Sequence, residues 1–315
     1  AMASYSKAAI ERHIPDVRDG LKPVQRRILY TMFNNGYASK SKHVKVARAV
    51  GATMVFHPHG DSSIDKALSR LSQDWVFNTP LVDIEGNKGS IDGSEAAAAR
   101  YIECRLTPEA ELILDGIKEN AVTMIPNYDN TEPEPDVLPA HYPVAFTNGA
   151  TGMGVGISTN IAPHNPRELL TAAELINRKP ETTLGEVMRS VKGPDFPTGG
   201  SIIDRDAVKT LYTTGKASIP MRATAVIEGQ TIYITEIPYG EKINSGTVLA
   251  SMIDTAEKHN LIGRITTIQD ESEDGNLKLA VHTKRGEDPE VILNILYKFS
   301  LLQANFSANH MVISN

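Results

Sequence analysis

Cysteine is nearly absent from this chain: Cys104 is the only one in 315 residues. A lone thiol excludes an internal disulfide and any cysteine-rich metal cluster, and it suits a reducing cytoplasm. Long apolar runs are missing as well, since nothing approaches the roughly 18 uninterrupted apolar residues of a membrane-spanning helix. Lys7, Glu11 and Arg12 break the one window near the start that resembles a secretory leader, so none is expected. Ala1, Met2 and Ala3 read as a cloning remnant and are set aside. There is no internal repeat.

The composition present is that of a globular protein with a substantial core: 41% hydrophobic and 22% charged residues, in a length suited to about two domains. One further absence is local. Between Lys22 and Gly60 there is no acid, whereas Lys22, Arg26, Arg27, Lys40, Lys42, Lys45 and Arg48 are basic. The remainder carries 25 basic against 38 acidic residues, a net of −13 within an overall −6. A basic patch on an acidic body is the footprint of a polyanion-binding protein. A merely solvated helix face interleaves both signs.

Pro23 suits a first helical turn, and Val24, Ile28, Leu29, Met32 and Phe33 follow at helical spacing up to Asn35-Gly36. This pattern places Arg26 on the face away from the core. A second helix is predicted from about His43 to Val50. A third starts near Asp61-Ser62, with Ile64, Ala67, Leu68 and Leu71 as its buried stripe. Ser62 and Asp65 have capping-box spacing, and Lys66, Arg70 and Gln73 fall on the exposed side. Three short helices before Gly86, Gly89 and Gly93 resemble a helix-turn-helix with a wing, whose last helix enters the major groove. A helix ending near Asn120 follows. Glu132-Pro133-Glu134-Pro135-Asp136 reads as a stiff connector and domain edge. Beyond it, helix patterns at 166–177, 182–191, 245–259 and 288–300 alternate with strand-like runs at 217–228, 231–237, 264–270 and 277–283, an α+β arrangement.

Four places carry candidate chemistry. Arg100-Tyr101 puts a guanidinium beside a phenol that titrates near pH ~10, where it can steady both a phenolate and a phosphate under attack. Tyr101 is then either a nucleophile on nucleic acid or a half-buried aromatic. His57-Pro58-His59 is a partial metal pair with no third ligand at a familiar spacing; binding DNA phosphate or orienting a nearby group is the preferred reading, because both histidines precede the helix that begins at Asp61. Gly152-Met153-Gly154-Val155-Gly156 matches a dinucleotide fingerprint poorly, because no helix follows at once. Met153, an apolar tip between glycines, is a candidate wedge between bases. Asp204-Arg205-Asp206 offers two carboxylates to Mg²⁺, but helix capping before Ala207-Val208 explains them more simply.

Several segments together resemble the A subunits of type IIA topoisomerases, the breakage-reunion subunits of DNA gyrase and topoisomerase IV. They are Arg12-His13-Ile14-Pro15-Asp16-Val17-Arg18-Asp19-Gly20-Leu21-Lys22-Pro23-Val24-Gln25-Arg26-Arg27, then His57-Pro58-His59-Gly60-Asp61-Ser62, Gly86-Asn87-Lys88-Gly89-Ser90 and Ala98-Ala99-Arg100-Tyr101. Asn148-Gly149-Ala150-Thr151-Gly152, Pro163-His164-Asn165 and Glu236-Ile237-Pro238-Tyr239 continue the series in the family's order.

The resemblance implies a winged-helix (CAP-like) domain at 4–140 carrying Tyr101, then an α/β tower domain at 141–315. It implies that Tyr101 attacks a phosphodiester and leaves a 5′-phosphotyrosyl link, and that Arg100 stabilises the phosphorane-like centre. Arg12, His59 and His57 become supporting groups near the scissile phosphate. Lys22, Arg26, Arg27, Lys45 and Arg48 become phosphate contacts to gate DNA, joined on the DNA face by Ser62, Lys66 and Arg70, and Met153 the residue that kinks the duplex. The implied partners are double-stranded DNA, a second copy of the chain in a homodimer, and a topoisomerase B subunit in an A₂B₂ heterotetramer. Mg²⁺ and ATP belong to the B subunit, with no metal site on this chain, and the setting is the bacterial cytoplasm and nucleoid.

Two departures stand out. Ile102 replaces the usual threonine after the tyrosine. In the family, quinolone drugs are anchored through a water–Mg²⁺ bridge to a serine and an acid four residues on; Ser62 fits, but Lys66 stands at the acid's place and Asp65 one position early. The coiled coil and exit gate of the family are expected to be absent, as in an excised fragment. Gln25 leans towards topoisomerase IV. The rival readings are a non-catalytic winged-helix DNA-binding protein and a tyrosine recombinase or nicking enzyme.

Overall fold

Pro23 opens helix α1 (Pro23–Asn34), where its missing N–H would have had no helical partner. Ile28, Leu29 and Met32 recur at helical spacing and are fully buried. The backbone N–H of Lys22 donates to the Gln25 side chain at 3.0 Å, tying off the helix start. The structure, a computed structural model, describes residues 9–273 and 275–314; the readings at Ala1, Met2, Ala3 and Lys7 lie outside the described residues.

The chain forms mixed α/β structure with antiparallel sheets, in two compact units. The first comprises Ala1–Gly89, Glu95–Asp195 and Asn309–Asn315; the second comprises Ser90–Ser94 and Phe196–Ala308. In the first, β1 (Val44–Lys45) leads into α2 (Val46–Thr53), and α3 (Asp61–Arg70) follows. The next elements are β2 (Val82–Glu85), β3 (Glu103–Leu106) and α4 (Pro108–Leu114). The sheet order is β1-β3-β2, with Val44 opposite Cys104 and Ile84 opposite Cys104 from the other side. Ile28, Val46, Ile64, Leu68, Cys104 and Ile113 meet in one core beneath α1, α2 and α3. A small hairpin, β4 (Met124–Pro126) with β5 (Pro133–Pro135), precedes the short α5 (Val144–Asn148). A second hairpin, β6 (Ala150–Met153) with β7 (Ser158–Ile161), leads to α6 (Pro166–Arg178) and α7 (Leu184–Ser190).

In the second unit β8 (Ser201–Ile202) pairs with β9 (Lys216–Arg222) across α8 (Arg205–Thr214). Asp204 caps α8 by accepting from the Asp206 and Ala207 N–H groups, as the capping reading requires. A four-stranded antiparallel sheet has the order β10-β11-β13-β12, formed by β10 (Thr224–Glu228), β11 (Thr231–Glu236), β12 (Ile265–Asp270) and β13 (Leu279–Thr283). Helices α9 (Ser245–Lys258) and α10 (Pro289–Phe299) bury Val248, Met252, Ile292 and Leu296 against Ile232, Ile234, Leu279 and Val281. The last strand, β14 (Gln303–Asn309), has no counterpart in the sequence reading, because its polar side chains hide the alternation.

Other departures from the sequence reading have local causes. The second helix begins at Val46, because Val44 and Lys45 are taken by pairing with Cys104 and Glu103. The α3 helix starts one residue before Ser62, after Gly60 at φ +86, so the Ser62–Asp65 capping box does not form. Helix α4 stops at Leu114, well short of Asn120. The predicted strand at 217–228 divides into β9 and β10. The segment read as a connector is instead a paired strand with Glu134 buried. Gln73 is half-buried and donates to the Lys88 carbonyl at 2.9 Å. No helix among the described residues is long and apolar enough to cross a membrane.

Candidate nucleic-acid interface

The turn before β3 is fixed by the start of α2. Two N–H groups of that first helical turn lack partners within the helix; Val46 donates to the Ile102 carbonyl at 3.0 Å and Ala47 to the Ala99 carbonyl at 3.1 Å. Ile102 is buried in the core. Gly86, at φ +111, makes room for it, since a Cβ there would come within 2.8 Å of the Ile102 Cγ2. Burying Ile102 turns its neighbour outward. Tyr101 is 66% exposed, so it is not a half-buried aromatic. The Arg100 guanidinium carbon lies 4.5 Å from the Tyr101 ring centroid, and Lys45 Nζ, paired with Glu103 at 2.8 Å, reaches the Tyr101 carbonyl at 3.4 Å.

A second group gathers around the loop before α3. The rings of His57 and His59 meet edge to face with centroids 4.9 Å apart. Arg27 Nη1 lies 3.3 Å from His57 Nδ1; a guanidinium is donor-only, so Nδ1 accepts and the His57 proton sits on Nε2. Burial first, then the charges of Arg27, His59 and Arg12, push His57 down to about 4. His59 is lowered by burial, Arg12 and Arg27, and His13 by burial, Lys22 and Arg12. These rings are therefore neutral hydrogen-bonding groups at neutral pH. Arg27 also forms two parallel bonds to Glu134, of 2.7 and 2.8 Å. Among the described residues, no hydrogen bond, ion pair or ring contact joins Tyr101 or Arg100 to Arg12, Arg27, His57 or His59. No three His, Cys, Asp or Glu side chains among them are grouped to hold a metal.

The remaining basic residues divide. Arg26 is 9% exposed and locked to Asp19 at 2.5 and 2.9 Å, which corrects its expected placement away from the core. The acid seven residues earlier draws it inward, and Asp19 also accepts from the Leu21 and Leu138 N–H groups. Lys22 Nζ donates to the Thr151 carbonyl. Arg48 is exposed, its guanidinium carbon 5.8 Å from the Tyr37 ring centroid. On α3, Ser62, Lys66 and Arg70 are exposed while Ile64 and Leu68 are buried. Asp65 is half-buried with one carboxylate oxygen unbonded, and burial and Asp61 raise its titration. Met153, at the end of β6, is 78% exposed. The residues missed from sequence were the acids Asp19, Glu103 and Glu134; only Asp19 lay close enough in the chain to signal its pairing.

A family model describing the A subunit of DNA gyrase/topoisomerase IV matches residues 12–315. This chain belongs to that family. It is 45% identical over 315 residues to the DNA gyrase A subunit of Kosmotoga olearia, covering 98% of this chain and 38% of that protein. It is 44% identical over 312 residues to the DNA gyrase A subunit of Metamycoplasma arthritidis, covering 97% and 34%. It is 43% identical over 318 residues to the DNA topoisomerase 4 A subunit of Streptococcus pyogenes, covering 99% and 38%. The chain thus spans little more than a third of these gyrase and topoisomerase IV relatives, and both names occur at nearly equal identity.

Proposed function

We propose that this chain is the DNA-cleaving and rejoining part of a bacterial type II topoisomerase, from its A subunit, with Tyr101 as nucleophile. The observation that carries this reading is the exposed Tyr101 with the Arg100 guanidinium on its ring, in a chain of the gyrase/topoisomerase IV A-subunit family. We assign residues 4–140 to a winged-helix domain with α3 as its groove-facing helix, and 141–315 to the tower, which then takes in residues 141–195 of the first compact unit.

Tyr101 Oη attacks the scissile phosphorus and gives up its proton. The Oη–P bond forms, the P–O3′ bond breaks, and a 5′-phosphotyrosyl link and a 3′-hydroxyl result. No phosphate ester is lost, so the reverse attack by the 3′-hydroxyl restores the strand. Arg100 stabilises negative charge on the five-coordinate centre. His59 and Arg12 present a neutral imidazole and a cation to phosphate oxygens, with the buried His57 packed edge to face against His59. Since Tyr101 has no contact with that group, a second copy of the chain supplies it in a homodimer. The metal and ATP are assigned to a B-type partner in an A₂B₂ assembly. Among the described residues no three His, Cys, Asp or Glu side chains are grouped to hold an ion. The bacterial relatives make cytoplasmic DNA the natural substrate.

The test mixes the full-length protein with a B-type partner, Mg²⁺, ATP and plasmid, and then denatures with detergent. Protein-linked linear DNA that vanishes with Tyr101→Phe is expected. Nicked circles alone would point to a nicking enzyme, and binding without any covalent product to a plain winged-helix binder.

A further inference from the structure

We propose that Lys22 is a positioning residue for the Met153 wedge rather than a phosphate ligand. This inference rests on the reading of Met153 as the residue that kinks DNA. A wedge transmits force only if its base is stiff, and the β6–β7 hairpin is pinned at several points. Lys22 Nζ donates to the carbonyl of Thr151, two residues before the tip. Gly152 faces the His13 carbonyl so closely that a Cβ would overlap its oxygen, and a Cβ on Gly154 would crowd Ile10 at 3.3 Å. On the other strand, Asn309 Nδ2 donates to the Ser158 carbonyl at 2.6 Å and Thr159 Oγ1 donates to the Met311 carbonyl at 2.6 Å.

These pins connect the wedge with the phosphate-binding group. His13 adjoins Arg12, and Lys22 immediately precedes α1, whose Arg27 contacts His57. An ammonium held by a backbone carbonyl directs one of its three donors away from DNA. Bending of the duplex at Met153 and seating of the phosphate at Arg12 and His59 are thereby one mechanical event. Gly152 acts in the same joint, because only a residue without Cβ permits the His13 approach.

The experiment uses the full-length protein in the Tyr101→Phe background, so that bending is read without cleavage and independently of the nucleophile assignment. A duplex with a donor–acceptor dye pair reports bending by energy transfer, and a salt titration reports phosphate contacts. Lys22→Met is expected to lower the bent-to-straight ratio about tenfold, the loss of one charge-assisted hydrogen bond, with the salt slope of binding unchanged. Lys22→Arg, which keeps a donor, should restore the bend. A slope reduced by about 0.9, the signature of one lost phosphate contact, would overturn the proposal, with or without a change in bending. So would a bend unaffected by Lys22→Met while Met153→Ala abolishes it. A bend that survives Met153→Ala overturns the wedge reading and this inference together, leaving the covalent chemistry of Tyr101 to its own test.

Discussion

Arg100 covers one face of the Tyr101 ring, its guanidinium carbon 4.5 Å from the centroid, so cation and phenol present themselves to solvent together. Arg100→Ala should lower the rate of covalent adduct formation by about 10²–10³, as for loss of one transition-state donor. Arg100→Lys keeps the charge but not the planar fork or the stack, and should recover only part of that rate. Quenched-flow cleavage of labelled duplex checks both. An Arg100→Ala rate equal to wild type would remove Arg100 from the chemistry.

Arg26 and Arg48 belong to the same basic stretch and should behave as opposites. Arg26→Met leaves Asp19 buried without its ion partner and should cost about 3–5 kcal/mol, visible as a lower urea midpoint. Arg48→Ala, on an exposed side chain, should shift stability by no more than about 0.5 kcal/mol while reducing the salt slope of DNA binding by about 0.9. Equal stability losses in the two variants would contradict the burial difference.

His57, His164 and His310 are each pushed down to about 4, with burial as the largest cause. His164, His310 and Phe146 pack edge to face, and the Ala162 N–H donates to His310 Nε2 at 3.3 Å. In the unfolded chain such groups titrate near pH ~6.5. The folded values are depressed, so the stabilisation is complete above the unfolded value and is lost as pH falls from about 6.5 towards 4. Urea midpoints should decline across this window. His310→Gln should shallow the decline by about one proton's worth; an unchanged slope would show that His310 is not held neutral.

Ser62 and Lys66 are both exposed on α3, whereas Asp65 is half-buried and raised in its titration by burial and Asp61. Asp65 is therefore poorly placed to replace an acid at position 66. If the family's drug bridge operates here, quinolone should stabilise little cleavage by the native protein, and Lys66→Glu should increase it. Drug-dependent linear DNA from plasmid measures this, and no increase with Lys66→Glu would dispose of the idea.

The helices were legible wherever a local repeat writes them. Ile28, Leu29 and Met32 fix α1, and Pro166, Pro289 and Asp204 mark helix starts. The outward face of Tyr101 was not legible, because it depends on Ile102 being buried under Gly86 and on α2 binding the turn. Glu134 illustrates the same limit from the other side. Flanked by two prolines it resembled linker, yet Arg27, 107 residues away, holds it in a buried ion pair. Charge counted along the chain overstated the basic surface, because Arg26 and Arg27 are neutralised by acids that composition assigned elsewhere.

The Ile313 N–H donates to the Pro15 carbonyl at 2.9 Å, and the Val17 N–H donates to the Ile313 carbonyl at 2.9 Å. Residues 15–17 therefore leave the ribosome almost three hundred residues ahead of the partner that completes them. The first unit is built from three separate stretches and the second from two, so no single cut in the gene encodes either one whole. During translation, the segment beside Arg12 must wait for residue 313 before its backbone is satisfied. A stall upstream of that codon leaves the Pro15 carbonyl and the Val17 N–H without these partners, beside the residues assigned to grip phosphate.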